Sequence, residues 1–169
     1  MKTILLIFPF LFGIALAQPP KEYDLTTFKS RQQEMEKLIS EQKPRLEMLV
    51  AASDANVKKL NEWSETLKYP EKIQRYKEQA TDELVKLKKQ AEQHSVQLRE
   101  FYFGWFPYTR QMMAVYTRYG EQKHAGKIEP EMTAFMTVHR EHIGLMDRAA
   151  KNLKDTLNEC EFLLTTRLN

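Results

Sequence analysis

The sequence predicts an all-α fold, an elongated antiparallel bundle of three long helices with coiled-coil-like packing. Three observations carry this. Apolar side chains recur three and four residues apart over most of the chain, the spacing that lines one face of a helix. No Asn-Gly or Asp-Gly hairpin turn occurs, so strands have no foothold. Finally, Leu98 to Tyr119 holds Phe101, Tyr102, Phe103, Trp105, Phe106, Tyr108, Tyr116 and Tyr119, eight of the fifteen aromatic residues that lie beyond residue 17. Wound at about 100° per residue, those rings point to every side, so one facing helix cannot cover them.

Residues 1–17 read as a secretory signal peptide: Lys2, an apolar run from Ile4 to Leu16, and the small-x-small ending Ala15, Leu16, Ala17. The run is too short for a membrane span of about 20 residues, and Pro9 and Gly13 interrupt it. The expectation is therefore an exported chain with no transmembrane segment after processing. Of 26 basic and 23 acidic side chains only Lys2 leaves with the leader, so the mature chain carries +2 and gives nucleic-acid binding no bulk support. With one cysteine, Cys160, no intrachain disulfide forms, and packing must supply the stability.

Residues 18–23, with Pro19 and Pro20, read as an extended lead-in to a single helical domain over 24–169. Asp24 or Thr26 caps the first helix. Its stripe is Leu25, Phe28, Met35, Leu38, Ile39, Leu46, Leu49, Val50, Val57, Leu60, Trp63 and Leu67, with Pro44 expected to kink or split it. Tyr69 before Pro70 is the first firm stop, and Pro70 suits the opening position of the next helix.

The second stripe runs from Ile73 through Tyr76, Ala80, Leu84, Leu87, Ala91, His94, Leu98, Phe101 and Trp105. It keeps phase to Tyr108, Met112, Val115 and Tyr119 across Gly104 and Pro107, which predicts a bend. Gly120 is a candidate left-handed cap, Glu121 to Glu129 a loop, and Pro130 with Glu131 the start of the last helix. That helix carries Met132, Met136, His139, Ile143, Met146, Ala150, Leu153, Leu157, Cys160 and Leu164. Outer acid-before-base pairs four apart are expected at Glu71 with Arg75, Asp82 with Lys86, and Asp147 with Lys151. Helices of roughly 45, 50 and 37 residues would be about 55 to 75 Å long. Such rods pack side by side, as a single chain or doubled into a dimer.

Reactive constellations are scarce. His139, Glu141 and His142 come nearest to a metal cluster, but neither His-Glu-x-x-His nor Glu-x-x-His occurs, and no metal or other cofactor is expected. His94 and His139 occupy stripe positions, and if they met across the bundle their protonation would make it pH-sensitive. Cys160 reads as a small buried apolar group or as half of an interchain disulfide. Lys86, Lys88 and Lys89 read as a solvated face offset by nearby acids. The functional expectation is a secreted, non-catalytic protein that acts by contact with a protein partner or with itself. The alternative is a carrier of a hydrophobic, lipid-like small molecule near residues 101–119. For either role the candidate residues are Phe101, Phe103, Trp105, Phe106, Tyr108, Met112 and Met136.

Overall fold

The computed structural model describes the backbone of residues 25–121 and 125–169, and side chains at 29–114, 117, 130 and 132–169. The leader, the lead-in, Asp24, and the side chains of Tyr116 and Tyr119 lie outside the described residues. Three helices make the fold: α1 (Leu25–Thr66), α2 (Pro70–Glu121) and α3 (Ala125–Phe162). A short π-helical turn, Leu163–Arg167, extends α3, and the Leu168 N–H closes it on the Leu163 carbonyl at 3.1 Å. Each helix packs on the other two, and no strand occurs among the described residues. No helix among them is long and apolar enough to cross a membrane.

The first stop lies where Tyr69 and Pro70 put it. Pro70 opens α2, and the Tyr69 carbonyl accepts from the N–H groups of Lys72 and Ile73, both at 3.0 Å. Pro44 and Pro107 split nothing: both lie inside continuous helices. Each proline is exposed, and the carbonyls it deprives of a partner belong to the exposed residues Ser40 and Phe103, on the side where water serves as acceptor's partner.

The expected loop from Glu121 to Glu129 is a correction. Helix α2 continues through Gly120 to Glu121 and α3 begins at Ala125, so Pro130 sits inside α3 rather than at its head. As the sixth residue of α3, Pro130 forgoes the one bond that its N–H would have made to the carbonyl of residue 126, close to the start of the helix.

Two apolar cores follow one another along the bundle. The larger contains Met35, Ile39, Leu46, Leu49, Val50, Leu98, Phe101, Trp105, Met112, Phe135, Met146 and Leu153. The smaller contains Leu60, Leu67, Ala80, Leu84, Leu87, Cys160, Leu163 and Leu168. Between them in sequence lies a polar belt of buried Ser53, Asn56 and Thr156. There Asp54 of α1 takes two bonds from Arg148, at 3.2 and 2.7 Å, and one from Asn152 at 2.6 Å, which ties α1 to α3. Of the expected outer pairs, Asp147 turns instead to accept the Tyr102 hydroxyl of α2 at 3.2 Å, and Arg75 lies over the Tyr76 ring.

Candidate functional site

The ring-dense segment of α2 is divided between inside and outside by helical geometry. Phe101, Trp105 and Met112, spaced four and seven apart, point into the bundle and are buried. Tyr108 is half-buried, and so is Met136 of α3 beside the same core. Phe103 and Phe106 turn the other way and are 78% and 52% exposed. A phenyl ring as exposed as Phe103 is an anomaly, because burying a side chain of this size is worth about 1.5–3 kcal/mol.

Trp105 is the centre of the buried half. Its ring stacks on His139 at 4.9 Å and 15°, and meets His142 at 4.6 Å and 45°; Phe135 continues the stack against His139 at 5.5 Å. From α1, Gln42 Oε1 lies 3.3 Å from His142 Nε2. The fit is close: a methyl group at Gly104 would come within 2.9 Å of Gln42 Nε2. All three helices therefore meet at one level, with glutamine, imidazole and indole in layers.

The stack is polar at its edges but poorly bonded. Trp105 Nε1, His139 Nδ1 and His142 Nδ1 are buried without a hydrogen-bond partner among the described residues. Trp63 provides the contrast, since its indole N–H donates to Glu83 at 2.9 Å. Burial lowers the pKa of both histidines below the usual value. For His142 the neighbouring His139 and then Lys43 push in the same direction. Neutral imidazoles thus suit the stack.

The structure does not bring His94 to His139. His94 is eleven residues from Trp105, about 16 Å along α2, and lines a shallow opening with Arg45, Met48, Leu49, Ala52, Gln97 and Phe101. His139 instead shares the Trp105 ring with His142, three residues further along α3. The buried face of α3 is wider than one stripe, because α3 packs on both other helices. It therefore includes Phe135, His142, Ala149 and Thr156 as well as the expected series. Two overlapping three-four series, not one, were the signal for them.

Cys160 is wholly buried in the smaller core, and burial pushes its thiol up to about 11. A thiol so covered behaves as the small buried apolar group that the first of the two expectations describes. It is also eighteen residues, about 27 Å of helix, from His142, so these two do not pair. Among the described residues no three histidine, cysteine or carboxylate side chains gather in a way that holds a metal ion.

The opening beside Arg45 and His94 has a volume of about 280 Å³, and a second, of about 560 Å³, is lined by Asp54, Val57, Lys58, Asn61, Glu62 and Glu65. Of the residues expected to wall a lipid-like ligand, only Phe101 touches either. No family model, curated protein or solved structure matches the chain.

Proposed function

We propose that this is an exported, non-catalytic helical-bundle protein that works by contact, and that its contact surface is the outer face of α2 around Phe103 and Phe106. The observation that carries the reading is the exposure of Phe103, 78%, between the buried rings of Phe101 and Trp105. Fully exposed aromatic rings are enriched where one protein meets another, because they supply large contact area at low conformational cost. Val85, Val96 and Met113, all more than 40% exposed, extend the same side of α2. Together the five expose on the order of 500 Å² of side chain, spread along about 42 Å of helix between charged residues.

Carriage of a lipid-like molecule is the weaker reading. The 280 Å³ opening is small against the roughly 300–1,000 Å³ of ordinary ligand pockets. The larger opening is walled mainly by charged and amide side chains. The test places a photo-reactive phenylalanine analogue at position 103 and, as a control, at the exposed position Lys58. Irradiation in the extracellular fluid from which the protein comes should give discrete protein adducts from 103 and none from 58. A saturable fatty-acid probe signal without adducts at 103 would favour carriage instead.

A further inference from the structure

We infer that the partner of the outer α2 face is a second copy of this chain, docked antiparallel so that residues i and j of the two α2 helices meet when i and j sum to about 202. This rests on the contact reading of Phe103 and Phe106, and it commits that reading to one occupant.

The charges on the face carry the argument. At about 100° per residue, Val85, Glu92, Val96, Arg99, Phe103, Phe106, Arg110 and Met113 fall within one sector of α2, and all are exposed. Glu92 and Arg110 lie at its centre, nine residues to either side of position 101. Between Phe101 and Gly120 there is no acidic residue, so the positive half of the face is unopposed within its own segment.

A parallel pairing in register would set Glu92 against Glu92, Arg99 against Arg99 and Arg110 against Arg110. Like charges placed directly across an interface oppose association. The antiparallel pairing about the level of residue 101 reverses every one of these. Glu92 meets Arg110, the Arg99 guanidinium comes level with the Phe103 ring in the geometry of a cation–π contact, and Val96 comes level with Phe106. Two-fold symmetry repeats each contact, so one self-complementary surface closes the dimer and leaves no face to propagate. With on the order of 500 Å² of apolar side chain from each copy, the total lies near the lower edge of specific interfaces. A reversible, concentration-dependent dimer follows.

The experiment is sedimentation equilibrium on the mature chain over a wide concentration range, with circular dichroism as the fold control. Wild type should shift from monomer to dimer as concentration rises. Phe103→Ser should abolish the dimer while leaving helicity unchanged. Glu92→Arg and Arg110→Glu should each weaken association about tenfold, since each puts two like-charge pairs across the dyad. The double variant Glu92→Arg/Arg110→Glu should return to within about threefold of wild type, a rescue that only a Glu92 to Arg110 contact between copies explains.

A monomer at every concentration overturns the dimer. If the monomer still forms adducts through position 103 with other proteins, or sediments with anionic phospholipid vesicles in a Phe103-dependent way, the face has a different occupant and the dimer is overturned all the same. The first of these outcomes leaves the contact reading standing, whereas a monomer with no adducts at 103 removes both. A dimer indifferent to both charge reversals overturns the antiparallel register.

Discussion

Phe103 and Trp105 stand two positions apart on α2, yet one is on water and the other is 2% exposed, wedged between two imidazoles. Truncating the buried ring removes the stack on both histidines and leaves a void at the three-helix junction. Trp105→Ala should cost about 3–5 kcal/mol in urea unfolding. Trp105→Phe should cost markedly less, because it gives up ring area but also removes an indole N–H that has no partner among the described residues. If the two substitutions cost the same, the N–H is satisfied after all. The histidines add a pH dependence whose sign is fixed. Their folded pKa values lie below the unfolded value of about 6.5, so the unfolded chain binds protons more readily. Their contribution is complete above that value and is lost as pH falls through the folded pKa. Denaturant midpoints measured from pH 8 to pH 5 should therefore drop on the acid side, with at most about 1.4 kcal/mol per pH unit for each proton taken up. His142→Phe, which keeps a ring against Trp105, should flatten that slope.

At the scale of the helix, Gly104 is where α2 passes closest to Gln42 of α1. An alanine in a helix interior gains about 1 kcal/mol over glycine, but here its methyl would displace the Gln42 amide from His142. Gly104→Ala should consequently stabilise the protein by about 1 kcal/mol in a Gln42→Ala background and by clearly less in the wild type. A double-mutant cycle with no coupling would mean that Gln42 moves aside at no cost. The helices themselves were legible in the sequence: the three stripes, the stop at Tyr69 and the opening at Pro70 follow from spacing and proline chemistry alone. Three features were not. Whether Pro44 and Pro107 interrupt a helix depends on which side of it faces water, and that is decided by the neighbouring helices. Helix α2 ends later and α3 begins earlier than expected, since glycine and proline near a helix end weaken it without ending it. The third is the width of the α3 face: a helix with two neighbours buries two adjoining series, so His142 and Phe135 enter the core beside Met132, Met146, Leu153 and Cys160 of the expected stripe.

Across the whole molecule the helices are held in register by a few cross-links of mixed character. Asp54 with Arg148 and Asn152 joins α1 to α3, Lys88 with Glu161 joins α2 to α3, and the Gln42, His142 and Trp105 layer joins all three. Polar layers of this kind contribute less to stability than to fixing one alignment among the several that apolar stripes allow. The candidate surface was only half legible. The stripe through Phe101, Trp105, Tyr108 and Met112 already set these apart from Phe103 and Phe106 in the sequence, but it did not say that the rings outside the stripe stay exposed. That exposure depends on how α2 sits against its two neighbours, which cover Phe101, Trp105 and Met112 and leave Phe103 and Phe106 on water.

The inside-outside division of that segment is the claim on which the contact surface depends, and iodide quenching of single-tryptophan variants tests it directly. With Trp63 replaced by phenylalanine, the native Trp105 should emit at short wavelength and resist iodide. A tryptophan moved to position 103, with Phe at 105, should be quenched freely in dilute protein. Equal quenching at the two positions in a folded chain would contradict the account.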